Sequence, residues 1–525
     1  GPPLDRRATV ALLALALLAD ICLYKSWGGS GGAVLLILTL LALPFVKGGR
    51  VANRPLATGG LAMALAAVLV WSAWWLAIVT ALAALFVYAV TLWRPEWSLL
   101  ESLWAGAGSA LRAPARLVGH VARFRAAPRA AASPSVPARV ILIPVAVSVV
   151  FVLVFAAANP VVASQLGRLW RHVADVLVHF TEYLSWGRIF FWLLWLLVFA
   201  ALIRPVVHSR TVALILKADQ PMAPGDPSPR DPADFQVALL TLVCVNALFL
   251  AYNALDAVYL YFKATLPDGI TWSAYTHAGC GWLTFGLFLS TLVLGVIFWQ
   301  SLNFHPRSGL LKRWAYGWIA LNAVLAVGTL RRIHMYIDYS GLTHLLLTGV
   351  YGALLVMAGL AIMAVKVHRN HNTVWLMRRY VAAFATGIAA LALTPHGYLC
   401  ARYNVPRILA DKPQAMWPVV LKRLPADALP PVIALLDYRR ADGDLHKEKL
   451  VREGIAAILG QHLERLERDQ ARPWSQWQAS SHWALKHLRA ARDRIHATLP
   501  PEQWPEARKR LSTDYDLMSG APRTR

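Results

Sequence analysis

Apolar residues in this chain come in long, nearly unbroken runs separated by short polar stretches. Runs at 8–24, 33–46, 140–158, 189–203, 236–262, 278–302, 314–330, 342–365 and 374–394 each suit a helix crossing a bilayer core of ~30 Å. The run 59–92 is too long for one crossing, since a single helix of that length would extend roughly 50 Å. Trp71, Trp74 and Trp75 fall at its middle. Tryptophan collects at membrane interfaces, so the pattern predicts two short helices joined by a hairpin there. The expected fold class is all-α: a polytopic α-helical integral membrane protein of about 11 transmembrane helices.

The polar stretches divide the chain. Residues 1–93 hold about four transmembrane helices by this count. Residues 94–139 carry seven Arg against Glu96 and Glu101 and end in a Pro/Ala/Ser-rich piece. They read as a basic amphipathic helix on a lipid surface, or a solvated basic loop, followed by a linker. Residues 140–203 hold two spans with an interfacial helix at 161–185 between them. The proline-dense segment PMAPGDPSPRDPADF lies in 204–235, a cytoplasmic linker. Residues 236–395 form a five-helix transmembrane core. After Pro395 hydropathy falls, and helical periodicity at 427–437, 445–470 and 474–498 predicts a soluble helical domain over 396–525.

Composition narrows the class. With 57% hydrophobic and only 15% charged residues, the chain is not a soluble globule. A net charge of +24 is compatible with nucleic acid binding. Its basic residues, however, lie mostly in short loops and in the C-terminal region, so the lipid bilayer and not nucleic acid is the implied partner. With the N-terminus inside, the inner loops carry 21 Lys and Arg and the outer loops 7. That asymmetry predicts a cytoplasmic N-terminus, and an odd number of spans places 396–525 in the periplasm of a Gram-negative cell. The opening Gly-Pro reads as the scar of a cleaved tag, and 8–24 as a first span rather than a signal peptide. Four scattered cysteines without a CxxC pair imply neither a disulfide framework nor a zinc site.

Candidate chemistry sits in two polar stretches, 263–277 and 331–343, both expected as turns at the outer membrane face. In the helix before the first, Asn246, Asn253 and Asp256 are spaced by seven and three and share one face. An acid inside a span faces protein or a wet cavity, or reaches the interface and is solvated there; a pair of Asp256 with Arg331 or Arg332 is geometrically allowed. Tyr275, His277, Arg331, Arg332, Tyr336, Asp338, Tyr339 and His344 complete the outer cluster. Thr343 or Ser340 is placed to cap the next helix. Arginine beside a helix N-terminus suits a phosphate or carboxylate; the same residues also make an ion-paired loop holding two hairpins together. His277, His334 and His344 lack a close-spaced pair, so no metal site is expected, and no cofactor motif is present. Asp20, near the outer end of the first span, has too little context to assign.

The segments YNALDAVYLYF (252–262), TWSAYTHAGCGWL (271–283), RRIHMYIDYSGLT (331–343) and YNVPR (403–407) resemble the bacterial domain-of-unknown-function 4153/4173 membrane proteins. The similarity covers roughly 236–500, including LPADALPPVIALL at 424–436 and WSQWQASSHWALKHL at 474–488. It implies a multi-pass bacterial membrane architecture and adds Tyr403, Asn404 and Arg407 to the residues of interest. The chain departs from the pattern where its turn reads YSGLT, and where Leu346 and Leu347 stand in place of an arginine.

The sequence is compatible with three kinds of function. The first is an inner-membrane protein of the cell envelope that binds a small anion, a lipid headgroup or a protein partner. It would act in sensing, transport or assembly through the outer cluster and 396–525. The alternative is a membrane-embedded transferase or hydrolase on a lipid-linked substrate, with Asp256 or Asp338 as general base and Arg331 or Arg332 on a phosphate. A purely structural subunit is a third possibility.

Overall fold

The structure, a computed structural model, describes residues 5–26, 28–48, 51–126, 185–205, 210–219, 231–261, 289–298, 301–410, 424–440 and 443–519, with 167–168, 170–171, 286, 412–416 and 419. The expected span 140–158, most of the interfacial helix 161–185, part of the span 278–302, and Tyr275 and His277 lie outside these residues. Regular secondary structure among the described residues is entirely helical.

The N-terminal helices are α1 (Arg6–Leu23), α2 (Ser30–Lys47), α3 (Asn53–Trp71), α4 (Trp75–Trp93), α5 (Leu99–Ala126), α6 (Trp186–Ile203) and α7 (Arg210–Ala218). The second half contributes α8 (Asp231–Tyr261), a helical stretch at 289–297, α9 (Ser308–Ser340), α10 (His344–Arg369) and α11 (Thr373–Leu393). The C-terminal helices are α12 (His396–Leu409), α13 (Leu445–Asp469), α14 (Ala479–Ala490), α15 (Arg492–Thr498) and α16 (Trp504–Ser519). Among the described residues, seven helices are long and apolar enough to cross a membrane, in α2, α3, α4, α6, α8, α10 and α11. Helices α1 and α9 have the length, but charged and polar residues make them less apolar than those seven. The predicted break in 59–92 is present: α3 and α4 are separated by Ser72, Ala73 and Trp74.

One expectation is corrected. The stretch 331–343 is not a turn over its length, because α9 continues through Ser340. Charged side chains do not stop a helix when they find partners. What stops it is Gly341 at φ 81°, a left-handed conformation that a glycine takes at little cost. The turn is only Gly341, Leu342 and Thr343, and the Thr343 hydroxyl accepts from the Leu346 amide at 3.3 Å to cap α10.

Three apolar cores organise the molecule. The first joins α1–α4 and α6 through residues such as Leu12, Leu65 and Phe199. The second joins α8, 294–298, α9, α10 and α11 through Leu242, Phe298 and Met363. The third lies in the C-terminal helices and includes Tyr438, Ile455, Leu459, Leu488 and Leu511.

The C-terminal helices sit on one end of the bundle, beside the α1–α2 and α3–α4 turns. The glycine-rich α1–α2 turn makes that approach possible. Gly29 has φ 79°, and a Cβ there would lie 3.0 Å from the Trp477 carbonyl oxygen. The Ser30 amide donates to that carbonyl at 3.0 Å, its hydroxyl donates to the Trp474 carbonyl, and Gln476 Nε2 donates to the Lys25 carbonyl at 2.9 Å. At the opposite end of α1, Arg204 pairs with Asp5 at 2.5 Å.

Candidate functional site

The expected polar face of α8 is a seam against α9. Asn246 donates to the Trp314 carbonyl at 3.0 Å and Asn253 to the Leu321 carbonyl at 3.2 Å. Further along, Asp256 accepts from Arg332. Both charged side chains are buried, at 7% and 2% exposure. An isolated charge at this depth would be costly, and the pair offsets that cost. Of the two arginines considered for the pairing, Arg332 makes it while Arg331 is exposed.

The other sequence-derived residues fasten the end of α9 to α12. Asn404 accepts from the Leu342 amide at 2.7 Å and donates to the Leu342 carbonyl at 2.8 Å. Arg407 donates to the Asp338 carboxylate at 3.1 Å and to its backbone carbonyl at 3.0 Å, and lies over the Tyr403 ring. His334 faces the other Asp338 oxygen at 3.2 Å. Tyr336 is half-buried against the small cluster of Ile333, Ile337 and Leu346, and Tyr339 is exposed. Among these residues the polar groups largely serve one another.

Asp20 has a comparable place. It accepts from Arg188 through both oxygens, one bond at 2.8 Å, and from Trp192 Nε1 at 2.9 Å, which ties α1 to α6. Near the far end of the bundle, Arg378 of α11 donates to Glu101 at 2.8 Å and to Asp219.

A site that the sequence reading did not single out lies between the bundle and the C-terminal helices. A cavity of about 490 Å³ is bordered by Ser72 and Trp74 of the α3–α4 turn, by His396, and by His462, Arg465, Asp469, Arg472 and His482. Arg465 and Arg472 share the single acid Asp469, at 3.9 and 2.8 Å. Gln478, Ser480 and Ser481 border the cavity too, at the start of α14. Gln478 gives that helix no side-chain cap, so its first amides keep their hydrogen-bonding capacity at the positive end of the helix dipole. Arginine beside a helix N-terminus is the chemistry anticipated at 331–343, and here it borders an open volume. The visible signal was the segment 476–482, whose two serines follow the uncapped helix start instead of capping it.

Where cavity and bundle meet, the rings of Trp74, His344 and His396 cluster, with His396 4.7 Å from Trp74 and 4.6 Å from His344. Burial pulls His396 down to about 4, and the neighbouring His344 adds to the shift. Burial pushes the Asp427 carboxyl up, against the lowering effect of hydrogen bonds that include the Tyr398 amide.

The chain belongs to the family described as Domain of unknown function (DUF4153), which it matches over residues 57–435. The DUF4153 match begins inside α3, well before the 236–500 range of the resembling motifs, and ends before α13. Seam, latch and the Trp74–His396 contact therefore fall within the DUF4153 region, whereas Arg465, Arg472 and the segment 474–488 lie beyond it. No curated protein and no solved structure matches this chain.

Two predictions follow from this geometry. Asp256→Leu or Arg332→Met alone costs about 3–5 kcal/mol, while the double change recovers most of the loss. Thermal unfolding in detergent measures this, and simple additivity would contradict it. His396 binds its proton less readily when folded, so its contribution is complete above pH 6.5 and is lost as pH falls toward about 4. Asp427 acts in the opposite sense, favouring the folded state at low pH. Unfolding midpoints across this window are expected to fall less steeply with acid in His396→Gln than in the unaltered protein.

Proposed function

We propose that this integral membrane protein binds an anionic group, a phosphate or carboxylate, in the cavity between its bundle and its C-terminal helices. The observation that carries this reading is the pairing of Arg465 and Arg472 with an uncapped helix N-terminus around one cavity of about 490 Å³. The two arginines share one acid, so positive charge exceeds negative there, and a bound anion would receive charge-assisted bonds from side chains and amides. Asp256 and Asp338, the acids that a transferase or hydrolase would enlist, each accept from an arginine. This supports a binding role in envelope sensing, transport or assembly over acid–base catalysis.

The same reading places the protein in a bacterial cytoplasmic (inner) membrane, with the N-terminus in the cytoplasm and the C-terminal helices and cavity in the periplasm. Support comes from the excess of Lys and Arg in the loops assigned to the cytoplasm. The C-terminal helices also pack at the opposite end of α1 from Asp5. They offer a surface to an envelope protein partner as well.

Calorimetric titration of the detergent-solubilised protein with inorganic phosphate tests the binding site. Saturable binding is expected, weakened on the order of tenfold in Arg465→Gln/Arg472→Gln. No binding, or equal affinity in the variant, sinks the proposal. Alkaline phosphatase fused after Arg525 is expected to be active, because that enzyme folds only after export; an inactive but stable fusion would reverse the topology.

A further inference from the structure

A second opening lies inside the bundle, away from the polar cavity. It is an apolar groove of about 530 Å³ between α2, α4 and α6, with α1 and α3 closing its outer end. Leu35, Leu36, Leu85 and Phe199 form its floor and Leu194, 58% exposed, its rim. Along α6 it runs from Gly187 to Phe199, roughly 18 Å, or a little over half of a ~30 Å hydrocarbon core. A crossing peptide helix would need the full thickness, so the groove's depth fits a chain from one leaflet only.

Its outer mouth is cationic. Lys25 borders it, exposed, with its ammonium near the Tyr24 ring and no acid paired to it among the described residues. The nearby acid Asp20 is already held by Arg188 and Trp192. Moving an acyl chain from the bilayer into an apolar groove gains little by hydrophobicity, because lipid tails are as apolar as leucine. Retention therefore depends on the fit of the chain and on the charge at the mouth, and an ammonium at headgroup level selects an anionic phosphate.

We propose that this groove seats one acyl chain of an anionic glycerophospholipid, with the headgroup phosphate against Lys25. The seat is separate from the polar cavity: Gly28, packed on Ala73, and the bond from Gln476 to Lys25 stand between them. It accounts for two features at once, an apolar depth matched to a leaflet and a cation at its outer limit that has no paired acid among the described residues.

The test uses the full chain, reconstituted in nanodiscs of equal parts phosphatidylglycerol and phosphatidylethanolamine, then released into mild detergent for native mass spectrometry. One retained phosphatidylglycerol per protein is expected. Gly32→Leu fills the groove where a Cβ meets only ordinary contacts with Leu23 and Leu69, and it raises helix propensity in α2. It is expected to lower occupancy on the order of tenfold while circular dichroism stays unchanged. Lys25→Glu should keep a lipid but lose the preference for phosphatidylglycerol. Equal occupancy in Gly32→Leu, an unchanged preference in Lys25→Glu, or a peptide mass in place of lipid would each overturn the proposal.

Discussion

A charge inside an apolar bundle has to be met by a partner, and here that partner repeatedly belongs to another helix. Arg188 on α6 meets Asp20 on α1; Arg332 on α9 meets Asp256 on α8; Arg378 on α11 meets Glu101 on α5. Apolar contacts alone distinguish one helix pairing from another only weakly in lipid, since the solvent is as apolar as the side chains. The ion pairs and the asparagine seam of α8 are therefore the contacts that choose neighbours and register. Helices separated by more than two hundred residues, such as α5 and α11, are joined this way.

With the helices so placed, the α1–α2 and α3–α4 turns come to one end, where Gly29 and Ser30 admit the backbone at 474–477. Asn404 and Arg407 hold α12 to the end of α9. The C-terminal helices are thus fixed at two places, and the volume left between them and the bundle is lined by polar and apolar side chains together. A cavity formed in this way is preorganised, because Arg465 sits on α13 and Arg472 in the bend just after it, both beside the packed core of the C-terminal helices.

Much of the membrane-helix pattern was legible in the sequence, because long apolar runs report directly on lipid contact. The break at residues 72–74 followed from length and tryptophan placement, and the shared face of Asn246, Asn253 and Asp256 from helical spacing. The extent of the turn at 331–343 did not follow. Two arginines, a histidine and an aspartate resemble a loop in a hydropathy profile, yet a helix carries them when Arg332 finds Asp256 and Asp338 finds Arg407. The cavity was hidden for a different reason. Trp74 and Arg472 are nearly four hundred residues apart, and only the docking of α12–α14 brings them around one volume.

Backbone hydrogen–deuterium exchange with and without inorganic phosphate addresses the central claim at its atoms, since the amides at the start of α14 are the proposed donors. The account predicts slowed exchange at 479–481 and around Arg472 on adding phosphate, with the α8–α9 seam protected and unchanged in both samples. Exchange at 479–481 that ignores phosphate, in a protein whose seam stays protected, would contradict an anion site in this cavity.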